Sequence, residues 1–232
     1  MILRELFTKE EVSVASNKIS THYKHKIGNG FDSLVVSYQC SDLDVFTYFT
    51  RHKKVYELLR QCVSDRVFLT HSKLPLKLPY VGGFTPHQDA WFWYEYKHLT
   101  NPSMCASLFV ALEDTNDKNG ALCIHGPRIR ELLPHSDATV ESVLTEKVKM
   151  ELKAGDAVLM DGYTVHSSNA NKSSKMRTML VGCYAVEGYT FELTDKNDPR
   201  AVINNVYVSE VKTDCNINDL NVPMVTNYEW KR

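Results

Sequence analysis

His87-Gln88-Asp89 is the pair of residues on which a reaction centre could be built. In extended backbone, residues i and i+2 project from one face, so this imidazole and this carboxylate can hold one ion between them. A third donor must come from elsewhere, and His166 offers it. Two His and one carboxylate on one face of an octahedron leave three positions open, an arrangement that suits iron(II) and a reaction in which co-substrate and O2 meet on the metal. The spacing alone carries little weight. With nine His in the chain, roughly one His-x-Asp arises by chance. His135-Ser136-Asp137 is such a second copy; it follows Leu132-Leu133-Pro134 with no strand pattern around it and reads as a surface coincidence. His87 lies instead in an aromatic, strand-like run after Gly82-Gly83.

The tight turn Ala154-Gly155-Asp156 opens a strand-like run, Ala157–Asp161, that leads toward His166. Arg177 follows eleven residues after His166, at the start of the next apolar run. A hairpin between the two would bring Arg177 back beside the metal. A planar, permanently charged, two-pronged donor suits a carboxylate such as the far one of 2-oxoglutarate. Taken alone, Arg177 would be a strand-edge cation.

These residues need a scaffold. Thr8 and Glu11 form a capping-box pattern, and Val12, Ala15, Ile19, Tyr23 and Ile27 follow at helical spacing. The pattern predicts a helix over Lys9–Lys26, stopped by Gly28-Asn29-Gly30, and a second over Asp44–Val63. From Arg66 onward, short β-branched and aromatic runs alternate with turn clusters. Strands are expected at Val67–Lys73, Phe84–Tyr94, Met104–Leu112, Ala121–His125, Lys147–Leu152, Ala157–Asp161 and Met176–Val186, with a short helix around Arg128–Leu133. Many short, well-punctuated strands argue for a sandwich or jelly roll. The expected organisation is mainly β with N-terminal helices: one domain over 1–232, with a helical layer at 1–65, a jelly-roll core at 66–190 and an irregular surface tail at 191–232.

The 232 residues, 43% hydrophobic, suit a single domain. Lys and Arg (27) nearly balance Asp and Glu (28), so neither composition nor charge points to nucleic acid as a partner. The six Cys form no CxxC pair, and four sit in apolar runs, which reads as reduced thiols. No apolar leader and no run of about 20 apolar residues are present, so neither a signal peptide nor a membrane partner is expected, and the default location is cytoplasmic. No sequence feature sets an oligomeric state.

Four stretches give the pattern a family. They are Lys73–Ala90, containing Lys77, Gly82-Gly83 and His87-Gln-Asp89; Ser107–Asp114, closed by Asn119-Gly120-Ala-Leu; Leu152–Gly162; and His166 through Asn171 to Arg177. In order and spacing they resemble the phytanoyl-CoA dioxygenase family of iron(II)- and 2-oxoglutarate-dependent oxygenases, most closely small-molecule members such as 2-aminoethylphosphonate dioxygenase. The resemblance implies a double-stranded β-helix, the cupin-like jelly roll, with iron(II) on His87, Asp89 and His166. It implies 2-oxoglutarate held by Arg177, with Lys77 and Phe109 as further cofactor-binding positions, and O2 as the oxidant. His71 falls where one relative binds substrate. The expected activity is hydroxylation of an unactivated C–H bond in a small metabolite carrying an amine or phosphonate group. Departures at His125-Gly126-Pro127-Arg128 and at Tyr80 put the substrate in question, not the metal.

The run Trp91-Phe-Trp-Tyr-Glu-Tyr96 bears on that substrate. On a strand, Trp91, Trp93 and Glu95 share a face and could cage an ammonium group through cation–π contact; core packing with a lid is the competing reading. A cupin-like metal-dependent hydrolase or isomerase would use the same three ligands but give Arg177 no task. A non-catalytic binding module on the same fold would not need the full set.

Overall fold

The structure is a computed structural model describing residues 1–23, 34–37, 43–94, 105–134, 137–186, 206–208 and 215–223. Among these, the elements run β1 (Ile2–Leu3), α1 (Lys9–Tyr23), β2 (Leu34–Ser37), α2 (Val45–Thr50), α3 (Lys53–Cys62), β3 (Val67–Lys77), β4 (Phe84–His87) and α4 (Asp89–Tyr94). Then come β5 (Cys105–Ala111), β6 (Leu122–Gly126), α5 (Asp137–Val143), β7 (Glu146–Met150), β8 (Ala157–Asp161), β9 (His166–Ser168), β10 (Arg177–Val186) and β11 (Val206–Tyr207). The larger sheet is ordered β1-β8-β5-β10-β3-β11, with β2 also on β3; the smaller is β4-β9-β6-β7. Facing each other, the two form the jelly roll of a double-stranded β-helix.

The larger sheet is buried on both faces, and the parity of its side chains says where each points. Leu108, Val110, Leu180 and Tyr184 join one apolar cluster with Val12, Ile19, Phe46, Phe49, Val55 and Leu59 of the helices. Phe109, Ala111, Met179, Val181 and Cys183 join a second cluster with Leu122, Met150 and Leu152 from the smaller sheet's side. The helices therefore cover the outside of the barrel, and its inside lies between the sheets. Arg177 has the parity of Met179 and Val181. Lys77, Lys73 and His71 are the register partners of Arg177, Val181 and Cys183. All four of these polar residues consequently face the barrel interior.

Several expectations need correction. The helix expected over Asp44–Val63 is two helices, because His52 adopts extended backbone and its ring accepts a hydrogen bond from Lys54 N, starting a new helix. The carbonyl of Thr50, left over at the end of α2, accepts a hydrogen bond from the buried Tyr184 hydroxyl at 2.7 Å. The expected strand at Val67–Lys73 runs on through Pro75 to Lys77, since Leu74 and Leu76 are both buried under the helices. The expected strand Phe84–Tyr94 ends at His87 and turns into α4. Buried Gln88 makes that turn: its amide donates to the carbonyls of Glu131 and Tyr163 and accepts from Leu133 N. Those three bonds outweigh the β preference of an aromatic run.

No helix occupies Arg128–Leu133; the helix in this region is α5. The C-terminal segment is more than a surface tail, because β11 extends the larger sheet and Val208, Ile217 and Leu220 are buried in the helix-side cluster. The capping box at Thr8 and Glu11 is formed. Residues 24–30, with the end expected for α1, and His135-Ser136 lie outside the described residues. None of the described cysteines forms a disulfide.

Candidate active site

Three elements deliver the candidate ligands. β4 ends on His87, α4 begins on Asp89, and β9 begins on His166. β4 and β9 pair with His87 opposite His166, which sets the two imidazoles side by side, with ring centroids 4.3 Å apart and planes tilted by 56°. Asp89 joins them from the helix start rather than from a continuing strand. The donor atoms of the three residues lie within 4.8 Å of one another, close enough to share one ion.

The surroundings prepare each group for that task. His87 Nδ1 lies 2.8 Å from the Thr85 carbonyl, and His166 Nδ1 lies 3.0 Å from the Thr164 carbonyl. With Nδ1–H donating to a carbonyl, each ring presents an unprotonated Nε2 to an ion. Burial, then the neighbouring His166, pushes His87 down to about 3, so the ring is neutral at ordinary pH. Asp89 Oδ2 accepts from the Ser107 hydroxyl at 2.6 Å, and Oδ1 lies 3.3 Å from Lys73 Nζ and 4.0 Å from His166 Nε2. Burial alone would raise the Asp89 carboxyl, but the Lys73 ammonium, His166 and the Ser107 hydroxyl hold it well below the usual carboxylate range. Two imidazoles and an ionised carboxylate are a donor set for a divalent first-row metal.

A second polar cluster lies further along β3 and β10. Arg177 is 2% exposed; its Nη2 donates to the Gly120 carbonyl at 2.8 Å, and its Nε is buried with no hydrogen-bond partner. Opposite it, Lys77 is 1% exposed and donates to the Ser168 hydroxyl at 2.8 Å and to the carbonyls of Asn169 at 2.5 Å and Gly82 at 3.3 Å, so the unused donor of the pair is Arg177 Nε. Burial, then the Arg177 charge, brings Lys77 down to about 7. Glu113, the acid beside Arg177, is bonded to Thr178 N and the Ser16 hydroxyl instead. Two buried cations with an unused donor fit an incoming carboxylate. Phe109, 7% exposed, stands edge-on to His166 with centroids 5.4 Å apart.

The structure thus brings His87, Asp89, His166 and Phe109 together, and sets Arg177 and Lys77 as a pair on the same interior face. It does not do so through a hairpin: β9 belongs to the smaller sheet and β10 to the larger, so the connection crosses the barrel. His71 shares the interior face two residues beyond Lys73. Trp91 and Trp93 are on α4 rather than on a strand, so the strand alternation expected to put them on one face does not apply; the Trp93 side chain and Glu95 lie outside the described residues. Sequence reasoning overlooked Lys73, Ser107, Ser168 and Gln88. The signal for Lys73 was present: two lysines four apart in an otherwise apolar strand must share a face.

The family model for phytanoyl-CoA dioxygenase (PhyH) matches residues 7–179, three quarters of the chain and every site residue described. The chain belongs to the phytanoyl-CoA dioxygenase family. Within that family it is 32% identical over 160 residues to phytanoyl-CoA dioxygenase 1 of Oryza sativa subsp. japonica, covering 62% of this chain and 54% of that one. It is 30% identical over 139 residues to 2-aminoethylphosphonate dioxygenase of an uncultured bacterium, covering 56% and 50%. The chain therefore spans about half the length of these curated relatives. Among solved structures, the non-heme alpha ketoglutarate dependent carbocyclase SnoK superposes with a TM-score of 0.70 at 16% identity, over 85% of this chain and 84% of that one. EctD from S. alaskensis, with 2-oxoglutarate and 5-hydroxyectoine, gives 0.65 at 16% over 83% and 73%. These likenesses establish the double-stranded β-helix in a phytanoyl-CoA dioxygenase family member.

Proposed function

We propose that this protein is an iron(II)- and 2-oxoglutarate-dependent oxygenase that hydroxylates a small metabolite. His87, Asp89 and His166 would hold the iron, and Arg177 with Lys77 would hold the far carboxylate of 2-oxoglutarate. The reading is carried above all by the donor atoms of His87, Asp89 and His166 lying within 4.8 Å of one another, with each ring's Nδ1 against the carbonyl of Thr85 or Thr164. When bound, iron(II) with 2-oxoglutarate and O2 supplies the oxidising power, with succinate and CO2 as co-products.

The chain's own residues supply position and dryness. The two carbonyls set the imidazole tautomers, and Ser107 turns the Asp89 carboxylate so that one oxygen stays toward the histidines. Arg177 and Lys77 orient the co-substrate from its far end, and Phe109 closes one wall beside His166. His71 and Trp91 are further candidates for substrate contact. The arrangement is proposed to work as one domain over the whole chain, its helical layer bracing the larger sheet. No described helix is long and apolar enough to cross a membrane, and the absence of disulfides among the described cysteines accords with the cytoplasmic location proposed here.

The test is succinate formation from 2-oxoglutarate by the purified protein with iron(II) and O2, screened over small amines, phosphonates, betaines and amino acids. Turnover is expected in the wild type and absent from His87→Ala. Wild-type protein that binds neither iron nor 2-oxoglutarate would refute the assignment.

A further inference from the structure

Lys73 has so far been given one task, to hold the Asp89 carboxyl ionised. It lies on the interior face of β3, four residues before Lys77, so the two Cα atoms stand roughly 13 Å apart along the strand. Lys77 serves the Arg177 end. Lys73 serves the metal end, where its Nζ is 3.3 Å from Asp89 Oδ1, the carboxylate oxygen that faces His166. Its side chain is only 15% exposed. Its other close neighbour is the buried Cys183 side chain. An ammonium group has three protons to donate and prefers full hydration, so a single carboxylate that a metal would share leaves it under-satisfied here.

The charges show what is missing. With a divalent metal on the triad, Asp89 supplies one negative charge against the metal and Lys73 together. The two carboxylates of 2-oxoglutarate would be met by the metal at one end and by Arg177 and Lys77 at the other. Lys73 then has to share Asp89, its one carboxylate partner among the described residues, with the metal. Among the described residues, Ser107 is neutral and Glu113 is committed to Ser16 and Thr178.

We propose that Lys73 is the anchor for an acidic group of the primary substrate, so that the substrate is a small organic anion, a phosphonate or carboxylate, whose acid end sits next to the metal. This rests on the oxygenase reading above. It makes the acid, rather than an ammonium group, the feature the site recognises. An amine elsewhere on the molecule is compatible, because only one end meets Lys73.

Calorimetry on the full chain loaded with zinc and 2-oxoglutarate, which cannot turn over, reads binding without activity. Three probes share one backbone and differ at the head: 2-aminoethylphosphonate, 3-aminopropanoate and 1,2-diaminoethane. At least one acid is expected to bind more tightly than the diamine, and the better acid identifies the head group. Lys73→Met should weaken that acid roughly ten- to hundredfold, the range for losing a charge-assisted hydrogen bond, and Lys73→Arg should restore most of it. The co-substrate titration in Lys73→Met, run first, shows that the variant is folded and loaded. If no acid binds more tightly than the diamine, or if folded Lys73→Met binds the acid as wild type does, the inference is overturned. If wild type does not bind 2-oxoglutarate at all, it is the oxygenase reading that fails.

Discussion

Arg177 and Lys77 are register partners across β10 and β3, two buried cations side by side with no carboxylate hydrogen-bonded to either among the described residues. Burial and the Arg177 charge bring Lys77 to about 7. A carboxylate bound between them would raise it again, so the complex holds a proton that the free protein has partly lost. More protons in the complex means that affinity falls as pH rises. Co-substrate affinity is therefore expected to be flat below pH 7 and to weaken above it, by at most about tenfold per pH unit. Calorimetry at pH 8 in buffers of different ionisation enthalpy should register uptake of most of a proton, and Lys77→Met should abolish it. Affinity unchanged between pH 6.5 and 9 would show that Lys77 does not meet the co-substrate.

Arg177 pulls function and stability in opposite directions. Its Nε is buried without a partner, and its burial is offset only by the nearby Glu113 charge and one hydrogen bond to Gly120, so the fold gains little from holding it. Arg177→Met should lose 2-oxoglutarate binding yet leave the ligand-free protein at least as stable, with a thermal midpoint about 2–4 °C higher per kcal/mol gained. Arg177→Lys keeps the charge and loses the two-pronged geometry, so co-substrate affinity should drop roughly tenfold or more. A ligand-free Arg177→Met protein melting well below wild type would mean that the guanidinium braces the barrel instead of waiting for a ligand.

Metal should stabilise the wild type by mass action. A metal at one hundred times its Kd adds about 2.7 kcal/mol, or roughly 5–10 °C for a domain of this size. His166→Ala removes one ligand of the triad, and Asp89→Ala removes the charged one; neither variant should show the increment. Iron(II) and zinc are suitable probes, anaerobically for iron. An increment that survives in both variants would place the metal elsewhere.

How much of this was legible in the sequence depended on how local the determining contacts were. β5, β8 and β10 appear within a residue or two of their expected bounds, because apolar runs between turns fix them. The three metal candidates and Arg177 were readable from side-chain type, order and family resemblance. The break at His52 and the strand-to-helix switch at Gln88 were not. Each is decided by hydrogen bonds to distant or backbone partners, such as those of Gln88 to Glu131, Leu133 and Tyr163, which no local preference encodes. The same holds for the helix at Asp89. The sequence argument brought Asp89 to His87 for the wrong reason, as alternate residues of one strand, yet the helix start also brings its carboxylate within 4.8 Å of both imidazoles. The partition of β9 and β10 between two sheets is a property of the closed barrel and escapes any pairwise pattern.

Gly120 reads as a turn residue in the sequence, and the structure gives it a second role. Its φ of +87° lies in the region that glycine tolerates and other residues adopt at a cost of roughly 1–3 kcal/mol. Its carbonyl also accepts the Arg177 hydrogen bond. A Cβ placed here would stand 2.3 Å from Lys77 Cδ and 2.8 Å from the Asn169 carbonyl oxygen, so both the Lys77 stem and the backbone after β9 would have to move. Gly120→Ala should therefore lower stability by more than about 1 kcal/mol and weaken 2-oxoglutarate binding through displaced Lys77 and Arg177. The triad is held by other contacts, at Thr85, Thr164 and Ser107, so the metal-dependent rise in thermal midpoint should persist. Titrating metal and then co-substrate into the variant separates the two effects. Equal losses in both would show that the change spreads through the barrel, and an unaltered co-substrate affinity would show that the Gly120 turn does not shape that end of the site.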